Sequence, residues 1–351
     1  MKAHYLLPAT LLLALAACRP AGVRELDCPV VLESPLAPLP GYFCLDPAAP
    51  FLSYVDRDSR SLVLAAVDGS SPPAYLDRIT DLPEQDPLAG AHLLFAAGDE
   101  LHLLYLDRQS EESLLLKYVR KSLSTGTTWL DLLPGSGRPL AAFPTAAGLE
   151  VFLERDQTLF REGPRPQTVR TPFRSEGQAS LFATEGLRGF TVYDGQTHRL
   201  LLFHLRGQEV ESLEVARFGQ AQDSAVDGQG RLQILTYDPR SFRILLYRTE
   251  DPASGFQVQP VTLARGTSSL ALVRLPGGQG FLFNEISARQ HPRYQVSLLH
   301  FLPAEGYQKT VLYRSEYPVT ALRAVPAGEA LYVALLQEDL RVLRVEYRAL
   351  R

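Results

Sequence analysis

Between Phe218 and Leu263 the chain alternates four short apolar runs with three polar turns. The runs are Ala221–Val226, Arg231–Tyr237, Phe242–Arg248 and Phe256–Leu263. Asp227-Gly228-Gln229-Gly230 reads as a tight reversal, because glycine accepts positive φ. Asp238-Pro239-Arg240-Ser241 reads as a turn whose short side chains bond nearby backbone. The third run is apolar nearly throughout, as expected of a strand buried on both faces. This is the length and pattern of one four-stranded blade, and a single such sheet cannot bury both faces unless copies stack against it.

Copies fill the rest of the chain. Blade one runs from about Gly41 to Thr80, blade two from Leu88 to Leu133, and blade three from Pro139 to Val169, the shortest and faintest. Blade four takes Gln178 to Phe218, blade five is the stretch above, and blade six spans Ser268 to Tyr313. Blade seven starts at Val319 and has only three strands, while Arg24–Glu33 has no place in blade one. That orphan segment is expected to supply the missing strand and close the ring, removing an edge that would otherwise invite aggregation. The fold expected is therefore all-β, a seven-bladed β-propeller closed by the N-terminal strand; with blade three so faint, six or eight blades stay open.

The first residues follow another pattern. Lys2 and His4 precede an apolar run from Tyr5 to Ala17, the length of a signal-peptide core and too short for a stable span. The run ends in Leu15-Ala16-Ala17-Cys18, which resembles the lipobox of bacterial lipoproteins. The resemblance implies residues 1–17 as a cleaved signal, 18–23 as a tether and 24–351 as one propeller domain. It also implies fatty acylation of Cys18, with palmitate among the acyl chains; several chains together anchor a protein firmly. Arg19 is not the aspartate that favours inner-membrane retention in enteric bacteria, so the expected address is the cell envelope, with the outer membrane favoured where there is one.

Export changes the reading of the two remaining cysteines. In an oxidising compartment Cys28 and Cys44 are expected to form a disulfide. Such a bridge would staple the closing strand to blade one and stabilise by roughly 3 kcal/mol on the chain-entropy view. A metal site is the rival, but neither His nor further Cys stands at ligand spacing nearby.

A glycine-bearing turn follows the first strand of most blades, at Gly98, Gly148, Gly186, Gly228, Gly277 and Gly328. A tyrosine-and-acid corner ends several second strands: Tyr54-Val55-Asp56, Tyr105-Leu106-Asp107, Tyr193-Asp194 and Tyr237-Asp238. These repeats resemble the sialidase-type propellers of secreted bacterial proteins. A further match is Ser122-Leu123-Ser124-Thr125-Gly126-Thr127-Thr128-Trp129, a degenerate Asp-box with Ser124 where the Asp belongs. WD40 blades fit less well, since the single tryptophan, Trp129, is followed by Leu130.

Charge adds little: 35 Lys and Arg against 39 Asp and Glu give a net charge of −4, without the basic footprint of a nucleic-acid binder. The corner residues Asp56, Arg57, Asp107, Arg108, Asp194, Asp238 and Arg240 could ring a channel and hold a charged glycan, a peptide or a cation. Their regular repetition favours the plainer reading, in which each acid caps its own hairpin. His92, His102, His204 and His300 fall inside strands, and the chain has neither HxH nor HExxH. No catalytic residue, metal or cofactor is assigned. The expected role is a monomeric, lipid-anchored envelope module that binds or scaffolds a protein or glycan. The alternatives are a sialidase-like or other carbohydrate-active enzyme, and a purely structural envelope lipoprotein.

Overall fold

A computed structural model of the chain describes residues 23–35, 43–45, 50–56, 58–78, 92–110, 113–133, 137–145, 148–184, 186–207, 209–287, 291–302 and 306–350. Nearly all of them lie in seven antiparallel sheets, six built around four strands consecutive in sequence and the seventh around the last three strands of the chain with Val30–Pro35 as its fourth. The first strands of the blades are His92–Ala97 in blade two, Arg138–Thr145 in three, Ser175–Ala183 in four, Gln222–Val226 in five, Leu270–Leu275 in six and Ala321–Ala327 in seven. Each touches the first strand of both neighbouring blades, and the series returns through Phe43–Leu45 of blade one. The molecule is therefore a closed seven-bladed propeller whose first strands line a central channel. Blade three is complete, with Gln167–Arg170 as a four-residue outer strand.

The period of two in the strands explains the packing. In the third strand of blade one, Leu62 and Leu64 pack toward blade two, while Val63 and Ala65 pack toward blade seven. Each blade contributes alternate residues to two interfaces, and the seven apolar clusters occupy the seven gaps between neighbouring blades. The one between blades three and four is aromatic: Phe152, Phe173, Phe190 and Phe203 are fully buried there.

The orphan N-terminal segment closes the ring, in two pieces rather than one. Val30–Pro35 is the outermost strand of blade seven, antiparallel to Asp339–Glu346. Val23–Glu25 instead adds a fifth, parallel strand to the outer edge of blade six, with Arg24 opposite Thr310. Arg314 fastens it, donating from Nε to Glu25 at 2.7 Å.

This placement corrects the expected disulfide. Cys28 lies between the two outer-edge strands and packs against the core between blades six and seven. The backbone of Cys44 belongs to Phe43–Leu45, the channel-side strand of blade one, and its side chain is outside the described residues. Closing a ring at its outer edge carries the two cysteines to opposite radial ends of their blades, three strand spacings of about 4.8 Å apart in depth. A disulfide tolerates a Cα separation of about 7 Å at most. Cys28 accordingly carries a free thiol, which burial, followed by the nearby Asp27 charge, pushes up to about 11. Cys18 and residues 1–17, where a signal is expected, lie outside the described residues.

The glycine turns form between first and second strands, but not always on the expected residue. Positive φ falls on Gly98 and Gly328 as expected, and on Gly230 and Gly278 rather than Gly228 and Gly277. The Asp-box-like stretch forms the turn between the third and fourth strands of blade two. Gly126 is at φ 72° and its N–H donates to the Ser122 carbonyl at 3.0 Å. The acid absent at position 124 is supplied from the neighbouring turn: Asp99 accepts from the hydroxyls of Ser122 at 3.0 Å and Ser124 at 2.5 Å.

Candidate functional site at the channel mouth

Three of the acid corners act as turn formers. Asp56 accepts from the Ser59 N–H and hydroxyl, both at 2.8 Å. Asp194, fully buried, accepts from the N–H groups of Arg174 and Gln196 and from the Thr197 hydroxyl at 2.7 Å. Asp238 accepts from the Arg240 N–H and the Ser241 hydroxyl. These are the local side-chain-to-backbone bonds that make short acids good turn residues. Arg240 is exposed, while Arg57 and the side chain of Arg108 lie outside the described residues.

Asp107 departs from its repeats. It is fully buried, 2.6 Å from Lys117 Nζ, and the same ammonium stands 2.7 Å from Asp77 of blade one. Asp77 also accepts from the Tyr105 hydroxyl at 2.6 Å. Burial alone would lower the Lys117 pKa, but the two carboxylates outweigh it and raise it. Burial and then the bond to Asp77 push the Tyr105 phenol far above its ordinary range. The group is an ion-pair lock between blades one and two. The corner pattern gave no hint of it, because its cation and second acid come from other strands.

The polar residues that do converge sit on the first strands. Arg323 of blade seven donates from Nη2 to Gln178 Oε1 of blade four at 2.6 Å, and from Nη1 to the Leu322 carbonyl at 2.8 Å. Blades four and seven are not neighbours, so the bond to Gln178 crosses the channel. Asp223 of blade five lies in the same region. It accepts from the Ser180 hydroxyl of blade four at 2.6 Å and from the Leu272 N–H of blade six at 2.7 Å. Burial raises its pKa, and the charge of Arg323 offsets part of that rise. Ser224 continues the belt by donating to the Ser180 carbonyl, and Ser269 of blade six accepts from the Leu322 N–H of blade seven. Side chains thus hydrogen-bond blade to blade from four to seven, where adjacent first strands share no backbone ladder.

A second guanidinium stands farther round. Arg138 of blade three donates to the Ser175 carbonyl and hydroxyl at 3.3 and 3.2 Å, and Glu154 accepts from the Ser175 N–H and hydroxyl. Burial lowers the Arg138 pKa, and Glu154 opposes the shift. Tyr193 lies opposite Glu176 in the strand register, but burial, then Glu176 and Asp194, raise its phenol pKa. That direction is the reverse of nucleophile activation. Among the described residues no three guanidiniums converge on one point through the contacts above, and no group of three or more His, Cys, Asp or Glu is placed to hold a metal.

No signal in the turns pointed to Gln178, Asp223 or Arg323. The usable one was polarity inside strands: Gln178, Ser180, Gln222, Asp223 and Ser224 interrupt first strands whose neighbours are apolar.

No family model matches this chain, and no curated protein matches it. Solved structures do. One titled "YCF48 bound to D1 peptide" aligns with TM-score 0.56 and 10% identity over 93% of this chain and 98% of that one. The phage phi92 endosialidase aligns with TM-score 0.53 and 9% identity over 91% of this chain and 69% of its own. A chain of a mitotic checkpoint complex aligns with TM-score 0.52 and 11% identity over 92% and 93%. At such identities the likeness is one of fold, and the fold it marks is the β-propeller.

Proposed function

We propose that this chain is a cell-envelope lipoprotein, acylated at Cys18, whose propeller binds or scaffolds an envelope protein or glycan. The observation that carries the binding reading is the channel: Arg323, Gln178 and Asp223 are engaged with one another and with the strands beside them. Charged groups so committed hold a ring together; an enzyme of charged sugars needs cations and acids turned to the substrate. The absence of an aspartate after Cys18 favours the outer membrane, where the source has one. A propeller recorded with a bound peptide among the structural neighbours is consistent with this use of the fold.

The test is two-armed. A fatty-acid probe is expected to label the chain and to fail on Cys18→Ala, and cross-linking in the native envelope should capture a specific protein or glycan. Equal labelling of the variant removes the anchor, and cleavage of a fluorogenic sialoside by the purified protein removes the binding reading in favour of catalysis.

A further inference from the structure

The outer edges of the blades differ in one respect. Seven strands lie fourth in their blades, and six of them slip register against the third strand, in blades one, three, four, five, six and seven. Such bulges twist an edge away from further pairing. Other devices add to them: Pro260 in blade five, glutamates in Glu209–Ala216 of blade four, and the added strand Val23–Glu25 over blade six. Blade two alone lacks a slip, and its outer strand has neither proline nor an added strand, with Asp131 as its single charge. Thr128–Leu133 pairs with Lys121–Leu116 without a slip over all six residues. Its apolar side chains face solvent, with Trp129 40%, Leu130 51% and Leu132 62% exposed. A flat apolar edge of this kind is a template for strand addition, and blade six shows that an outer edge of this ring accepts one.

We propose that the occupant of this edge is a second copy of the same strand, paired antiparallel about a twofold axis at Leu130. The edge is self-complementary in that register. Leu130 meets Leu130, Thr128 meets Leu132, and Trp129 meets Asp131 of the second copy. Residues opposite one another share a face, because their numbers have the same parity. The charges also match. Arg120 lies over the Trp129 ring at 5.4 Å and 3.7 Å from Asp131 of its own chain. Bringing Asp131 of the second copy opposite Trp129 sets a second carboxylate beside that guanidinium, twice per dimer. Centring the pair on Asp131 would instead oppose two carboxylates, which is destabilising. An isologous interface of this kind closes at two copies. A six-residue edge covers less than the roughly 1,600 Å² of a standard interface, so the dimer is expected to dissociate on dilution. It replaces the monomer expected from sequence.

The experiment is disulfide trapping and sedimentation on the full chain in detergent micelles. Leu130→Cys lies on the axis and is expected to cross-link to itself under mild oxidation, well above the wild-type chain and above Leu132→Cys. Leu130→Lys, at an exposed position, should shift the sedimenting species to the monomer with an unchanged melting temperature. Arg120→Asp and Asp131→Arg should each weaken self-association, and mixing the two should restore it as a heterodimer. A monomer at every concentration, equal trapping at positions 130 and 132, or trapping of Leu130→Cys only to a different protein would each overturn the proposal.

Discussion

Arg323 and Gln178 stand on blades seven and four, yet the guanidinium reaches the amide oxygen at 2.6 Å across the channel. The same cation tempers the raised pKa of Asp223, whose carboxylate links blades four and six. Replacing Arg323 with Met removes the cation and leaves Gln178 without its donor. The expected cost is about 1–3 kcal/mol, the range for losing a hydrogen bond to a charged group, measured by urea denaturation. Asp223→Asn in the Arg323→Met background should recover part of it.

Asp223 also sets a pH dependence of definite sign. Its folded pKa lies above the ordinary value of about 3.9, so the folded state holds the proton more tightly than the unfolded chain. Its ionisation therefore opposes folding, and that penalty fades as pH falls through the raised folded pKa toward 4. Over that interval the stability of the wild type should gain on that of Asp223→Asn. Asp227 runs the other way. Burial favours its neutral form, but the Arg231 N–H at 3.0 Å and guanidinium outweigh that and lower its pKa. Its contribution is present above about pH 4 and lost as pH falls through the folded value. Asp227→Asn should therefore cost stability at pH 7 and little at pH 2, in paired denaturation curves.

Lys117 neutralises two carboxylates, one of them fully buried. Lys117→Met leaves Asp107 and Asp77 without their shared cation, and about 3–5 kcal/mol is expected to go, the range for breaking a buried pair from one side. Adding Asp107→Asn and Asp77→Asn should return much of it. Full stability of the single variant would sink the interblade lock.

The thiol of Cys28 is free and its pKa is pushed up to about 11. Iodoacetamide, which attacks the thiolate, should modify it slowly in the native protein and quickly in denaturant. A peptide map without reduction should show no Cys28–Cys44 link. Cys28→Ser should cost much less than the roughly 3 kcal/mol expected of a lost disulfide closing so short a loop.

Blade architecture was readable because a strand buried between two sheets must be apolar on both faces, and turns must be polar or glycine-rich. Leu62 to Ala66, Leu200 to Phe203 and Leu331 to Leu336 announce themselves in this way. The missing strand of blade seven was readable for the same reason, as a deficit in the count. Its radial position was not: nothing along Arg24–Glu33 says whether it joins the channel side or the rim, and the disulfide expectation failed on that point. The channel group was hidden for a related reason. Arg323 and Gln178 meet only because the ring brings distant strands face to face, a relation that neither residue's neighbours encode.

The latch at the rim has a kinetic side. Val30–Pro35 is among the first strands of the folded domain to be made, and its partner Asp339–Glu346 is the last. The ring is closed by the contact with nearly the greatest sequence separation the chain can offer, so loop-closure entropy must be met before that contact rewards it. Until then blades one to six can stack progressively while blade seven lacks its outer strand and the opening segment waits without a sheet. Closure is therefore expected as the late, slow event of folding, and the rim of blade seven is the last edge of the ring to be covered.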